Sequence, residues 1–159
     1  MMRLTSKGRY AVTAMLDIAL HQHEGVVSLS DISNRQGISL SYLEQIFTRL
    51  RRDSLVSSVR GPSGGYFIVE PLAQISIQRI VASMNEDLDP RHCRGKAQCS
   101  DGKACLAHDL WHDLSTMIAD FLSQLSLQTL IDRHQQKSLN DVSGASQQVH
   151  LDRLGLCKE

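Results

Sequence analysis

The sequence predicts a mainly α-helical chain with a small β wing: a winged helix-turn-helix followed by a long C-terminal helix. Three observations carry this expectation. SLSDISNRQG and ISLSYLEQIFTRLRRD read as a short helix, a glycine turn and a second helix with a polar outer face. Two β-prone runs, LVSSV and YFIV, flank the loop RGPSGG. Finally, a leucine-rich stripe repeats at three- and four-residue steps from Leu106 to Leu125.

Taken in order, residues 6–22 read as a helix, with Thr5 or Ser6 as cap and Ala11, Ala14, Met15, Ile18 and Ala19 on one face. Ser28 and Asp31 have capping-box spacing, and Gly37 stands where a short helix needs a left-handed residue. From a cap at Ser39, the next helix places Leu40, Leu43, Ile46, Phe47 and Leu50 on one side. Strands are expected at 55–59 and 66–69, turned by Gly61, Pro62, Gly64 and Gly65 with Arg60 at the tip. Ser76 caps a helix carrying Ile77, Ile80, Val81 and Met84, and a long helix runs from about residue 104. Twenty such residues would extend about 30 Å, beyond the small winged unit, so their stripe needs a partner such as a second copy. SLQTLI reads as a short turn, and from Asp132 the polar, Gln- and Ser-rich tail reads as disordered.

A chain of 159 residues with 42% hydrophobic content has room for one domain with an appendage. No apolar run near the start suits a signal peptide or membrane span, which predicts a cytoplasmic protein that makes no use of a membrane and keeps its thiols reduced. Net charge is zero; residues 1–70 carry eight Lys/Arg against six Asp/Glu, and the remainder nine against eleven. Charge alone therefore does not select a partner, although Arg49, Arg51, Arg52 and Arg60 lie close together.

Three of the four cysteines fall in CRGKAQCSDGKACLAH, spaced Cys93-x5-Cys99-x5-Cys105-x2-His108. This stretch has little apolar surface with which to order itself. Thiolates and imidazole suit an iron–sulfur cluster or zinc, and three idle thiols are the bland alternative. Zinc sites usually contain a tight C-x2-C or C-x4-C hook, which is absent here. The residues alone leave cluster and zinc open. Cys105 and His108 would share a helix face; His92 directly precedes Cys93 and His112 lies a turn further on, so His108 is the preferred nitrogen ligand. Cys157, in the tail, stands apart, and Trp111 reads as packing beside the cluster-bearing helix rather than as a ligand.

In a helix-turn-helix the start of the second helix meets base edges; here those residues are Ser41, Tyr42, Glu44 and Gln45. Gln pairs with adenine and Glu accepts from cytosine N4 while repelling phosphate. Ser6, Lys7, Tyr10 and Arg51 are expected on phosphates, which position without specifying sequence. Arg49 and Arg52 read equally well as surface charges.

Four stretches in order, MRLTSKGRYAVTAMLD, DIS-x-RQGISLSYLEQ-x-F-x-RLR, LVSSVRGP-x-GGY and the cysteine segment running into LWHDLS, resemble the IscR family of iron–sulfur-cluster regulators. The resemblance covers residues 2 to 130 and leaves out the tail with Cys157. It implies a homodimeric winged-helix transcriptional regulator, a repressor of cluster-assembly genes with altered site choice in its apo form. It further implies a [2Fe–2S] cluster on Cys93, Cys99, Cys105 and His108, supplied by the cluster-assembly machinery. Pseudo-palindromic double-stranded DNA would be the target, with Arg60 in the minor groove and Glu44 as the residue that lets the two forms prefer different sites. The corresponding division is a DNA-binding domain at 1–84, a cluster-binding loop at 85–104, a dimerisation helix at 105–131 and a tail at 132–159. A nitric-oxide sensor of the same fold would have other cysteine spacing and lack the histidine. No nucleotide loop or nucleophile–base set points to an enzyme.

Overall fold

Locally encoded caps set the limits of the first helices in the computed structural model, which describes residues 6–85 and 108–138. Helix α1, Ser6–His21, buries Ala11, Ala14, Met15 and Ile18. After a 3-10 turn at Gln22–Glu24 comes α2, Leu29–Gln36. At its start the Ser28 hydroxyl accepts from the Asp31 N–H at 3.1 Å and donates to the Asp31 carboxylate at 2.7 Å. At its end Gly37, with φ 66°, donates its N–H to the Ser33 carbonyl at 2.9 Å. The Ser33 hydroxyl then donates to the Ile38 carbonyl at 2.6 Å, fixing the turn. Helix α3, Leu40–Arg52, follows Ser39, which has the extended backbone of a cap but whose hydroxyl makes no capping bond.

Leu43, Ile46, Phe47 and Leu50 of α3 are buried as expected. Leu40, placed with them by periodicity, is 42% exposed. It occupies the first helical position, at the end of the apolar stripe.

The wing is shorter than its β-prone runs. Strands β1, Ser57–Val59, and β2, Gly65–Phe67, pair antiparallel with Ser57 opposite Phe67, Ser58 opposite Tyr66 and Val59 opposite Gly65. Leu55 and Val56 are buried before the ladder begins, the Leu55 N–H returning to the Leu50 carbonyl at 2.9 Å. Beyond the ladder, the Ile68 N–H is taken by the Gln22 side chain at 3.0 Å. Val27 exchanges two hydrogen bonds with Tyr66, at 2.9 and 2.8 Å, and anchors the wing to the body. That closeness explains Gly65: a Cβ there would lie 2.6 Å from the Val27 carbonyl oxygen. A Cβ on Gly64 would meet the Val59 oxygen at 2.3 Å.

Helix α4, Ile77–Ser83, is capped by the Ser76 hydroxyl, which accepts from the Arg79 N–H at 3.2 Å. It buries Ile77, Ile80 and Val81, and Met84 after it, in the core shared by α1, α2, α3 and the wing. Helix α5 spans His108–Gln124. The expected dimerisation helix, 105–131, is interrupted at Leu125 and Ser126, and a further helix, α6, runs over 127–138. Its start is capped by Ser126, whose hydroxyl accepts from the Thr129 N–H at 3.2 Å. Leu127 and Ile131 are buried, so 127–131, read as a short turn and the end of a dimerisation helix, completes the winged-helix core. Residues 132–138, expected to be disordered, continue this helix with an exposed polar surface. Thr5, Cys93, Cys99, Cys105, Leu106, Cys157 and the tail from 139 onward lie outside the described residues. Among the described residues no helix is long and apolar enough to cross a membrane.

Candidate nucleic-acid interface and the cysteine segment

One buried carboxylate holds the helix-turn-helix to its support. Asp17 of α1 is 1% exposed and accepts from Arg35 Nη2 at 2.6 Å, from Arg35 Nε at 3.1 Å and from Gln36 Nε2 at 2.7 Å. Burial pushes this carboxyl up, but the hydrogen bonds from Arg35 and Gln36 and the Arg35 charge outweigh it, leaving the pKa below the ordinary value. The base of α2 is thereby fixed to α1, and the Gly37 turn sets α3 against it. Asp17 was not singled out in the sequence; its one signal is a charged residue beside Ala14 and Ile18 on an apolar helical face.

With its apolar side committed to the core, α3 presents Ser41, Glu44, Gln45 and Thr48, at helical i, i+3, i+4 and i+7 positions, as an exposed outer face. The Thr48 hydroxyl donates to the Glu44 carbonyl at 2.7 Å. Among the described residues no cation lies within salt-bridge range of the Glu44 carboxylate. Tyr42, expected on this face, is half-buried and packs edge-on against Tyr10, with ring centroids 5.7 Å apart and planes at 90°. Two residues named as separate contacts are thus one aromatic pair joining α3 to the first turns of α1. Ser6 is exposed and Lys7 half-buried at the start of that helix. Leu40, exposed at the head of α3, adds an apolar group of the kind that meets a thymine methyl; periodicity had assigned it to the core.

The arginines separate clearly. Arg51 is exposed, and Arg52 Nε pairs with Asp53 at 3.1 Å. Arg49 instead turns inward, donating from Nη1 to the Met84 carbonyl at 2.8 Å. Arg60 is exposed at the wing tip. The turn beside it is closed by the Gly64 N–H on the Gly61 carbonyl at 2.9 Å, with Gly61 at φ 125°.

Asn85, the last described residue before the cysteines, has φ 56°, and the main chain is described again at His108, the first residue of α5. Cys93, Cys99 and Cys105 fall between them in sequence, and the His108 side chain lies outside what is described. Among the described residues no group of three or more His, Cys, Asp or Glu is arranged to hold a metal. The donor set itself, three soft thiolates and an imidazole, fits an iron–sulfur centre, and its histidine stands at the start of a regular helix.

A helix-turn-helix braced from below, with an arginine-tipped wing beside a polar recognition face, defines a winged-helix DNA-binding regulator. The family model Rrf2, described as an iron-dependent transcriptional regulator, matches residues 4–133. The chain belongs to this family. It is 53% identical over 148 residues to the HTH-type transcriptional regulator IscR of Photobacterium profundum, covering 93% of this chain and 84% of the relative. To the IscR of Erwinia tasmaniensis it is 55% identical over 134 residues, covering 84% and 81%. Among solved structures it is similar to T. potens IscR, with TM-score 0.68 and 31% identity over 84% of this chain and 88% of that one. It is also similar to CymR (YrzC), the global cysteine regulator of B. subtilis, with TM-score 0.73 and 27% identity over 84% and 98%. The protein is a DNA-binding transcriptional regulator and not an enzyme.

Proposed function

We propose that this regulator acts as a cytoplasmic homodimer whose choice of DNA site depends on a [2Fe–2S] cluster held by Cys93, Cys99, Cys105 and His108. The observation that carries the reading is one of placement. A soft donor set joins α4, which packs in the DNA-binding domain, to α5, which leaves an apolar face uncovered. Bound there, the cluster would supply an iron-dependent tether between the two ends of this segment. Histidine ligation makes loading dependent on pH, since the imidazole must be neutral to bind. It also shifts the potential in the direction of other histidine-ligated centres.

The rest follows from the chain's own residues. Leu110, Met117 and Phe121 of α5 are 63%, 68% and 60% exposed, and with Leu114 they fall on one helical stripe. A second copy of α5 fits that stripe. A twofold pair would set two α3 helices about 34 Å apart on a pseudo-palindromic site. In each half, Gln45 reads adenine, Glu44 accepts from cytosine, and Arg60 enters a narrow minor groove. Ser6, Lys7, Tyr10 and Arg51 hold phosphates, Tyr10 bringing the half-buried Tyr42 with it as support. The cluster-assembly machinery is the donor, and repression of its genes by the loaded form closes a feedback loop.

Iron, sulfide and zinc analysis of anaerobically purified protein tests the reading. About two irons and two sulfides per chain are expected; one zinc without sulfide would replace the cluster with a structural clamp. Cys93→Ala is expected to abolish the visible charge-transfer bands while keeping binding to sites selected by the cluster-free form. Loss of all DNA binding in that variant would overturn the two-form account.

A further inference from the structure

We propose that Arg49 is a positioning residue that joins the recognition helix to the end of α4, and so carries the state of the cysteine segment to the DNA-reading face. This rests on the reading of that segment as a ligand site. Arg49 lies in the last turn of α3, between exposed Arg51 and the polar residues Glu44 and Gln45 one turn earlier. Its guanidinium turns away from the outer face and donates to the Met84 carbonyl at 2.8 Å. Met84 is buried, caps the end of α4 and precedes Asn85, after which the chain leads to the cysteines. Carbonyls at a helix C-terminus have no partner within the helix, and a cation there is favoured by the helix dipole.

The opposite end of α4 is also fastened. The Ile77 N–H donates to the Leu125 carbonyl at 2.8 Å, and the Leu127 N–H to the Ile75 carbonyl at 3.0 Å. This short helix is therefore pinned at its start to the α5–α6 junction and at its end to α3. The Asn85 N–H returns to the Ala82 carbonyl at 2.9 Å, so the chain beyond Asn85 bears on the same last turn that Arg49 holds. Because the acceptor is main chain, the link depends on the arginine and not on the Met84 side chain.

The test uses full-length protein and duplexes selected from a random-sequence library by the cluster-loaded wild type. Affinity for those duplexes is measured for wild type, Arg49→Gln and Arg49→Lys, each cluster-loaded and cluster-free, together with the visible spectrum and melting temperature. Amide exchange over 81–85 is followed in the cluster-free proteins. A wild-type affinity ratio of about 5- to 150-fold between the two forms is expected. Arg49→Gln brings the ratio toward one while keeping the cluster bands, and speeds exchange at the end of α4; Arg49→Lys restores part of the ratio. Equal weakening of both forms, leaving the ratio intact, would make Arg49 merely structural and overturn the inference. So would loss of the cluster bands in Arg49→Gln. A wild-type ratio of one removes the underlying reading of the segment, and the inference with it, a result distinguishable from failure of Arg49 alone.

Discussion

Helices α3 and α5 are both amphipathic, yet they end differently. In α3 the apolar side chains Leu43, Ile46, Phe47 and Leu50 are fully buried within the chain, and apart from Leu40 at its head the exposed side chains are polar. In α5 the inward residue Leu122, with Leu125 just after the helix, packs against the core, while Leu110, Met117 and Phe121 stay in solvent. A finished helix with a polar outer face suits a hydrated, charged partner such as DNA. A helix left with large apolar side chains exposed suits a protein surface, because burying each contributes about 1.5–3 kcal/mol.

Substitutions on the two helices should therefore fail in different ways. Phe121→Glu would strike both copies of the proposed twofold interface, at about 3–6 kcal/mol in all, or roughly 150- to 20,000-fold in the dimer dissociation constant. Sedimentation equilibrium measures it, and an unchanged dimer would move the interface away from α5. Phe47→Ala, within the finished helix, is expected to cost about 3–5 kcal/mol of folding stability, read by chemical denaturation.

Asp17→Asn is expected to cost about 1–3 kcal/mol, loosening α2 from α1. The Asp17 pKa is lowered in the folded chain, so its contribution is complete above the unfolded value of about 3.9 and is lost as pH falls through the folded value. The stability gap between wild type and Asp17→Asn should then close as denaturation is repeated at falling pH. A gap independent of pH would mean that the carboxylate charge is not what holds α2. The smallest effect belongs to Glu44→Ala. Stability stays unchanged, and discrimination at one base pair falls by about 1 kcal/mol, broadening site choice. Identical relative affinities across a panel of duplexes would exclude Glu44 from reading sequence.

What was legible in the sequence is what local bonding fixes. Ser28, Asp31 and Gly37 mark the limits of α2 because their partners lie three or four residues away. The wing glycines announce a tight turn for a similar reason, although the Val27 carbonyl that excludes a side chain at Gly65 is visible only in the fold. Arg49 was not legible, because its acceptor lies 35 residues further along the chain. Leu40 misled for the opposite reason: its spacing is right, but at the first position of the helix it stays 42% exposed. In α6 the polar run after Asp132 suggested disorder, whereas Leu127, Leu130 and Ile131, at i, i+3 and i+4, hold the helix that the run extends. The proposed DNA contacts and cluster ligands rest on pattern and resemblance, since both would be completed by groups other than this chain.

The bonds that join Ile75 and Ile77 to Leu125 and Leu127 bear on how the chain tolerates changes in length. They hold the residues just before and at the start of α4 beside those at the α5–α6 junction. For a flexible loop, closure entropy grows only with the logarithm of length, about 0.6 kcal/mol per doubling. Insertions or deletions between Asn85 and His108 are therefore expected to shift the melting temperature of the winged unit little. On the proposed reading of that segment, its cysteine spacing answers to the cluster and not to the winged fold.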